Sequence, residues 1–412
     1  MKKAKTLLLI LLPSALSAQY QLKQAITVAG GNFGQPGNYV KYGKYELTDH
    51  SFQFFDSIPG DFTNAAVADE HILYSNASNT LYMHDLATYT RIDSVPFSGT
   101  QTLELANTYL IAGPSTILNA TNNNPMVFNR YSLDTVGEIS GFDYPIMDMV
   151  QVDDSLFVAW NVSSVIDQFP PFGVFADSLG YISVVSLNNL TKVRDIELGS
   201  AGAGINSLAY DRINRLLFGA NAVTNSLTKY SLNSFTLENI PTGSNNAKDL
   251  LGIKGDKLFG TFGLNGIGTW SISGDSLLDT TLQAGSFIQA CLDTVNEYLF
   301  ATSTDYFSFG DLSVFPPNSS PEFFNCGISP EAIALDYFIL VGQDEQYLKE
   351  INIYPNPSKE FIKIEGSAWI KVYNGLGQLV TEIQGSSLDI SSLLSAIYYI
   401  STDQGAGKFI KL

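Results

Sequence analysis

Residues Leu208 to Ile240, LAYDRINRLLFGANAVTNSLTKYSLNSFTLENI, contain one complete unit of a pattern that recurs along the chain. The unit begins with a short apolar strand, a turn at Asp211 and a second apolar strand. It continues with a strand that ends in a Ser-Leu pair at Leu232, a polar turn and another strand. Apolar runs of about four to eight residues, separated by Asp, Asn or Gly, are typical of β-hairpins. The unit therefore predicts two consecutive hairpins.

The first of these hairpins recurs along the chain, and so does the second. The inner hairpins have their turns at Asp69, Asn107, Asp153, Asp211, Gly255, Asp293 and Asp336. The outer hairpins lie around Leu47, Leu86, Leu133, Leu187, Leu232, Ile272 and Leu312. The inner turns are 38, 46, 58, 44, 38 and 43 residues apart, near the roughly 40 to 45 residues of a four-stranded propeller blade. We therefore predict an all-β chain in which residues 26–342 form a seven-bladed β-propeller.

The order of the hairpins predicts how the ring closes. The outer hairpin near Leu47 precedes every inner hairpin, and the inner hairpin near Asp336 has no outer hairpin after it. Pairing these two would close the ring with strands from both ends of the domain and leave only short protected edges. Two stacked β-sandwiches would have the same strand content, but they would not explain a period near 44 residues.

One blade resembles a known group of propellers. The segment LYMHDLATYTRIDSV, which begins at Leu81, resembles the YncE-like propellers of the bacterial lactonase and quinoprotein-like superfamily. The resemblance rests on repetition and contains no diagnostic functional motif. Since propellers bind, hydrolyse, oxidise or scaffold, it does not assign an activity.

The last residues of the chain, Ile351 to Leu412, have a pattern of their own. Alternating apolar positions around Phe361 and Ile370, with a turn signal at Asn374-Gly375, predict a small antiparallel sandwich. This tail resembles the type A C-terminal sorting domains of the type IX secretion system of Gram-negative bacteria. The resemblance is carried by Tyr354, Pro355, Asn356, Pro357, Tyr373, Asn374, Gly377, Gln378, Tyr398 and Lys408.

The resemblance implies that the type IX machinery is a partner of this chain. It implies export across both membranes, removal of the tail, and release or anchoring at the cell surface. The sequence departs from the family at Ala396, where a Gly usually precedes the Ile-Tyr pair. The departure loosens one turn and leaves the rest of the pattern intact.

The N-terminus predicts export independently. Three lysines precede an apolar run from Leu7 to Leu12, which is followed by the small-residue segment ending at Ala18. This order is typical of a signal peptide, here residues 1–18, with cleavage near Ala18. The run is shorter than the roughly 20 apolar residues of a membrane helix, and we expect no transmembrane segment elsewhere. Residues 343–350 are predicted to link the propeller to residues 351–412.

Composition agrees with a secreted or surface protein. The chain is 45% hydrophobic and carries a formal net charge of -18, which argues against nucleic acid and anionic membranes as partners. The two cysteines, Cys291 and Cys326, could form a disulfide after export or remain as separate buried thiols.

Signals for catalysis are missing from the sequence. The three histidines, His50, His71 and His84, form no H-E-x-x-H motif or close pair. We find no G-x-S-x-G elbow, phosphate-binding loop or EF-hand loop. We therefore assign no catalytic residue and no metal site, and the sequence indicates no required cofactor.

A ligand site is instead predicted on the face where the loops between blades meet the mid-blade loops. The interval of 58 residues reflects an insertion, residues Asn161 to Gly180, which we interpret as a long mid-blade loop rich in aromatic residues. The candidate ligand-binding residues are Phe142, Tyr144, Phe169, Phe172, Phe175, Asn221, Asn245, Asn246 and Asn265. Aromatic and amide side chains suit sugars or a flat cofactor. Alternatively, these rings fold back over their own blade.

The sequence thus favours an exported binding module for a ligand or a protein partner. One alternative is a propeller enzyme of the lactonase or hydrolase type with a metal in the central channel. Another is a structural or adhesion protein of the cell surface.

Overall fold

The structure is a computed structural model that describes residues 19–412 except 70, 98, 115–122, 170–171, 244–246, 263–265, 341–350, 365–368, 375–378 and 403–405. Within it, the side chains of residues 19–20, 164–176 and 338–340 are not described. The predicted signal peptide and linker lie outside the described residues. No helix in the described part of the chain is both long enough and apolar enough to cross a bilayer.

Tyr20–Ile339 forms a compact unit of seven four-stranded antiparallel sheets. Six of them, blades 2 to 7, are built from four consecutive strands each. Blades 2 to 4 comprise β4 (Ala66–Asp69), β5 (Ile72–Ala77), β6 (Thr80–Asp85), β7 (Thr90–Pro96), β8 (Thr100–Ala106), β9 (Tyr109–Pro114), β10 (Met126–Asn129), β11 (Thr135–Glu138), β12 (Ile146–Val152), β13 (Ser155–Phe169), β14 (Phe172–Ser186) and β15 (Thr191–Gly199).

Blades 5 to 7 repeat the same arrangement after a 3₁₀ turn at Ser200–Gly202. They comprise β16 (Ile205–Asp211), β17 (Leu216–Asn221), β18 (Ser226–Ser231), β19 (Leu237–Pro241), β20 (Ala247–Lys254), β21 (Lys257–Phe262), β22 (Gly266–Ser271), β23 (Ser276–Ala284), β24 (Gln289–Leu292), β25 (Leu299–Ser303), β26 (Phe309–Phe315) and β27 (Glu322–Ile328). The first strand of one blade contacts the first strands of its neighbours, so these strands are innermost and surround a central channel. The chain is therefore a seven-bladed β-propeller, as the repeat predicts.

Blade 1 closes the ring. Its strand order is β28 (Pro330–Leu340), β1 (Gln19–Ala29), β2 (Tyr39–Glu46) and β3 (Ser51–Pro59). Closure by strands from both ends of the domain is confirmed, but the predicted turn at Asp336 is wrong. Asp336 is fully buried inside β28, where it accepts a hydrogen bond from Gln24 of β1. One C-terminal strand therefore joins three N-terminal strands, and β1 begins before the predicted start of the propeller.

Polar residues make the other inner turns, as expected. Asn107 and Asp153 have φ values of 55° and 53°, in the left-handed region that tight turns require. Asp211 accepts hydrogen bonds from the N–H groups of Ile213 and Asn214 at 2.9 and 3.1 Å. The carboxylate of Asp293 is bonded in the same way to the two residues that follow Thr294. These aspartates stabilise their own turns.

The hydrophobic core lies between neighbouring blades. Ile111 of blade 3 packs in one cluster with Ile146 and Val158 of blade 4, and all three are fully buried. Similar clusters join the other neighbours. Since each sheet is covered on both faces, its central strands are almost continuously apolar.

The insertion in blade 4 is not the loop that the sequence predicts. Its backbone continues the pairing of β13 with β14 as far as Phe169 and Phe172, which forms a long hairpin. At the base of this hairpin, the buried side chain of Asn161 accepts the N–H groups of Gly204 and Ile205 at 3.0 and 2.9 Å. Strand pairing satisfies the backbone of the inserted residues, which a loop would leave to solvent.

Leu340–Leu412 belongs to the second compact unit. Its two sheets have the orders β29-β30-β33 and β32-β31-β34-β35. The strands are β29 (Ile353–Tyr354), β30 (Phe361–Ile364), β31 (Trp369–Tyr373), β32 (Leu379–Gln384), β33 (Ser387–Asp389), β34 (Ala396–Thr402) and β35 (Ala406–Lys411). Alternate residues such as Ile362, Ile370 and Phe409 fill the core between the sheets. The predicted β-sandwich is confirmed.

Candidate ligand site at the mouth of the channel

A cavity of about 620 Å³ lies at one end of the central channel. Its walls come from the loops between blades, the mid-blade loops and the first residues of the inner strands. It is lined by Gly30, Gly31, Asn32, Phe33, Phe62, Asn64, Gln101, Asn206, Lys248, Asp249, Ile288, Gln289, Tyr306, Phe307, Ser329 and Glu331. A second cavity of about 250 Å³ shares residues with the first and is lined by all seven inner strands. The two cavities therefore form the mouth and the upper part of one channel.

Each blade contributes one polar side chain at the start of its inner strand. We call these seven residues the polar ring: Asn64, Gln101, Asp148, Asn206, Asp249, Gln289 and Glu331. Asp148 lines only the deeper cavity, and the other six residues line the mouth. The ring thus combines four carboxamides with three carboxylates, and all of them can form hydrogen bonds with a ligand.

Hydrogen bonds around the ring join neighbouring blades. Asn64 Nδ2 donates to the Thr100 carbonyl at 3.1 Å, and Asn206 Nδ2 donates to Asp249 Oδ1 at 3.0 Å. Asp148 Oδ2 accepts the N–H of Leu208 at 2.7 Å. These contacts hold the polar side chains in fixed positions before any ligand arrives.

The three carboxyl groups of the ring all have raised pKa values. Burial raises the pKa of Asp148 to about 6, against the lowering effect of its hydrogen bonds, and the nearby charge of Asp249 raises it further. Burial also raises the pKa values of Asp249 and Glu331. Below the ring, burial raises the pKa of Glu104 to about 8, although the N–H of Gln151 donates to this carboxyl. Perturbed carboxyl groups that line a cavity are typical of functional sites.

Aromatic side chains line one side of the mouth. Phe33 and Phe62 meet edge to face with their ring centroids 6.1 Å apart. Tyr306 and Phe307 line the same cavity from the neighbouring blade 7, and Phe307 is 77% exposed. An exposed aromatic side chain beside a cavity offers apolar contact to a ligand.

The predicted aromatic residues Phe142 and Tyr144 do not line this cavity. Phe142 is buried in the core of blades 3 and 4, and Tyr144 stacks on Trp160 at 6.1 Å with an interplanar angle of 9°. Tyr181 stacks on the same indole at 4.4 Å. Phe142 meets Trp160 edge to face at 6.5 Å, so the structure places both predicted residues in an aromatic cluster of blade 4.

The other predicted ligand residues do not line either cavity or lie outside the described residues. Asn221 is fully buried in blade 5, where its Nδ2 donates to the hydroxyls of Ser226 and Thr228 at 3.0 Å. The side chains of Phe169, Phe172 and Phe175, and residues Asn245, Asn246 and Asn265, lie outside the described part of the structure.

The cavity residues could have been found from the repeat itself. Asn64, Asp148, Asn206 and Glu331 each lie five residues before the turn aspartate or its equivalent in their own blades. Aligning the units on those turns would have shown a recurrent polar position ahead of an apolar strand. The rim residues Phe33 and Tyr306 carry no such signal, because they lie in loops of differing length.

The two cysteines are separate. Both are free thiols, and Cys326 is fully buried. Cys291 lies on the innermost strand β24 and Cys326 on the outermost strand β27 of the same blade. Three strand spacings amount to about 14 Å, far beyond the roughly 7 Å limit for the Cα atoms of a disulfide. The disulfide alternative is therefore wrong for this fold.

The histidines pair with carboxylates between strands. His84, which is fully buried, lies 3.0 Å from Asp56 through its Nε2, and His71 lies 3.4 Å from Asp336. Within the described residues, no group of three or more His, Cys, Asp or Glu side chains is arranged to bind a metal.

In the C-terminal unit, Asn356 anchors the final strand. Its Nδ2 donates to the Lys408 carbonyl at 3.0 Å, and its Oδ1 accepts the N–H of Ile410 at 2.9 Å. Tyr398 is buried and stacks on Phe409 at 5.4 Å. Of the predicted sorting residues, Gly377 and Gln378 lie outside the described residues.

Solved structures similar to this chain share its fold. Hydrazine synthase from Kuenenia stuttgartiensis matches with a TM-score of 0.52 and 9% identity, covering 71% of this chain and 95% of that one. A chain of the mitotic checkpoint complex matches with a TM-score of 0.50 and 11% identity, covering 79% and 96%. At such low identity these similarities show the propeller fold alone.

Sequence comparison is informative for the C-terminal unit. Curated protein sequences give no match to this chain. Residues 352–412, however, match the family described as the secretion system C-terminal sorting domain. The chain therefore ends in a unit similar to the sorting domains of the type IX system, which indicates export to the cell surface or the extracellular space.

Proposed function

We propose that this chain is an exported β-propeller binding module whose ligand occupies the mouth of the central channel. The observation that carries the proposal is the cavity of about 620 Å³ at the polar ring. Its volume falls within the roughly 300 to 1,000 Å³ typical of small-molecule sites. The C-terminal sorting domain supports the same conclusion, because an exported protein meets ligands outside the cell.

The chemistry of the cavity supports binding of an organic ligand. Aromatic rings at the rim offer apolar contact, and the amides of Asn64, Gln101 and Asn206 offer donors and acceptors. These residue types agree with those expected for the site, although different residues supply them. Hydrogen bonds between blades hold several of these side chains in place, which reduces the entropy lost on binding.

Two steps of export belong to the same proposal. Residues 1–18 act as a signal peptide that is removed near Ala18, and residues 351–412 are then read by the type IX machinery. The first step is supported by the order of basic, apolar and small residues at the N-terminus. The second is supported by the family match of residues 352–412.

Thermal melting of the purified protein against glycans, peptides, haem, corrinoids and divalent metals tests the binding function. A ligand of the native state raises the midpoint by mass action. The replacement Phe307→Ala should weaken binding of the active compound about 10-fold or more, as expected for an aromatic anchor. Phe235→Ala is the matched control, because Phe235 is 68% exposed and lies outside the cavity. Equal weakening by both variants, or by neither, would contradict the assignment.

A further inference from the structure

The carboxylates of the polar ring have little positive charge to balance them. Asp249 and Glu331 line the mouth, and Asp148 lies just below them. The cation among the lining residues of these two cavities is Lys248, whose side chain is 60% exposed. Its Nζ lies 4.0 Å from Asp249 Oδ2, and such an exposed pair contributes little attraction. The cavity is therefore electronegative.

Each carboxylate at the mouth is oriented by hydrogen bonds from neighbouring residues. The Ser329 hydroxyl donates to Glu331 Oε1, and Asn206 Nδ2 donates to Asp249 Oδ1. The second oxygens, Glu331 Oε2 and Asp249 Oδ2, belong to residues that line the cavity. Two negatively charged hydrogen-bond acceptors in fixed positions at one opening match the donors of an ammonium or guanidinium group.

Burial of these carboxylates favours binding of a cation. Each is partly buried, and burial disfavours the ionised form of Asp249 and Glu331, whose pKa values are raised. An incoming positive charge restores to the ionised carboxylate part of the stabilisation that water would provide. The same charge would also offset the repulsion between Asp148 and Asp249.

The aromatic rim suits the same ligand. Phe33, Phe62, Tyr306 and Phe307 line the same cavity. Aromatic faces attract organic cations and also cover their carbon skeletons. A neutral ligand would use the rings and amides but would bring no positive charge to balance the carboxylates.

We propose that the mouth of the channel binds an organic cation, with its ammonium or guanidinium group between Asp249 and Glu331 and its carbon skeleton against the aromatic rim. This inference rests on the proposed function and specifies its ligand class. The positive group could belong to the side chain of a basic peptide or to a free polyamine, and the two sources share this chemistry.

The test is equilibrium binding of tri-arginine, tri-lysine, spermidine, uncharged tri-glutamine and a neutral oligosaccharide to the purified protein. The charge-removing variants are Asp249→Asn and Glu331→Gln, which keep the shape of each side chain. Asp143→Asn is the matched control, because Asp143 is exposed in a loop between blades and lies outside the cavity. Unchanged melting midpoints would show that each variant is folded.

We expect the cationic probes to bind, tri-glutamine not to bind, and affinity to fall about 10-fold or more in each charge-removing variant and with added salt. Tighter binding of the peptides than of spermidine would identify a peptide ligand, and the reverse would identify a polyamine. If the oligosaccharide binds through Phe307 and is insensitive to the charge-removing variants, the site stands and the cation inference is overturned. If no probe binds and Phe307→Ala leaves every other ligand unaffected, both the inference and the proposed function fail.

Discussion

Gln24 and Asp336 are 312 residues apart in the chain, and the Gln24 side-chain amide donates a hydrogen bond of 2.8 Å to the Asp336 carboxylate. Both side chains are fully buried. The Tyr89 hydroxyl donates to the side-chain amide oxygen of Gln24, Oε1, at 3.1 Å. Because β1 and β28 come from opposite ends of the propeller, this contact joins the two parts of the closing blade.

Replacement of Asp336 by Ala should therefore destabilise the ring. The Gln24 amide would be left buried with an unused donor, which costs about 2 to 3 kcal/mol of unfolding free energy. Urea denaturation of the purified protein measures the loss. Asp154→Ala, at an exposed turn position, should change the free energy by less than about 0.5 kcal/mol. Equal stability of the two variants would show that this contact does not contribute to closure.

Glu104 should make stability depend on pH. Burial raises its pKa in the folded protein to about 8 from an ordinary value of 4.5. The unfolded chain loses this proton near pH 4.5, whereas the folded protein keeps it up to about pH 8. The free energy of unfolding therefore falls from about pH 4.5 upward, and the loss is complete above about pH 8.

The replacement Glu104→Gln removes this cost and keeps an oxygen that can accept the Gln151 N–H. It should stabilise the protein by about 1 to 4 kcal/mol at pH 9 and leave it unchanged at pH 4. Melting midpoints across this range measure the effect, with the exposed Glu238→Gln as control. A constant difference between Glu104→Gln and the parent protein at all pH values would contradict the account.

The cysteines should behave as two protected thiols. Burial raises the pKa of both, and that of Cys326 reaches about 12. Since thiolates are the reactive form, alkylating reagents should label neither thiol in the native protein and both after denaturation without a reductant. Mass spectrometry counts the labels. A denatured protein with no reactive thiol would reveal a disulfide and refute the placement of the two strands.

Asn356 should be needed for the C-terminal unit to fold firmly and for export. Asn356→Ala removes both hydrogen bonds to β35, at a cost of about 1 to 3 kcal/mol. We expect faster proteolysis of residues 352–412 and less protein outside the cell, measured by immunoblotting of cells and medium. Ser392→Ala, at an exposed position, is the control. Full export of a protein that lacks residues 352–412 would contradict the sorting role.

The number of blades could be predicted because the turns at Asp69, Asp153, Asp211 and Asp293 recur at nearly regular intervals. The arrangement of blade 1 could not. Asp336 has the sequence context of a turn, but in the structure it lies within a strand. There it is buried against Gln24, which is 312 residues away in the chain. Local patterns do not contain such a contact.

The sequence predicts aromatic and amide residues at the candidate site, and the cavity has both types, but its carboxylates and its particular residues are not predicted. Phe142 and Tyr144 are on loops of the expected face, yet Phe142 is buried in the core beside Trp160 and Tyr144 is partly buried against it. The residues that line the cavity come together only when the ring is closed. Their polarity is visible in the sequence, but their convergence is a property of the seven-fold arrangement.

Selective obstruction of the channel mouth tests the central claim most directly. Gln289 lines both cavities and is exposed, so Gln289→Cys introduces an accessible thiol into a protein whose own cysteines are partly or fully buried. Binding of the most effective ligand is measured before and after attachment of a bulky maleimide, with labelled Phe235→Cys as control. The account predicts that labelling at position 289 abolishes binding while labelling at position 235 leaves it intact; unchanged binding to the protein labelled at position 289 would contradict it.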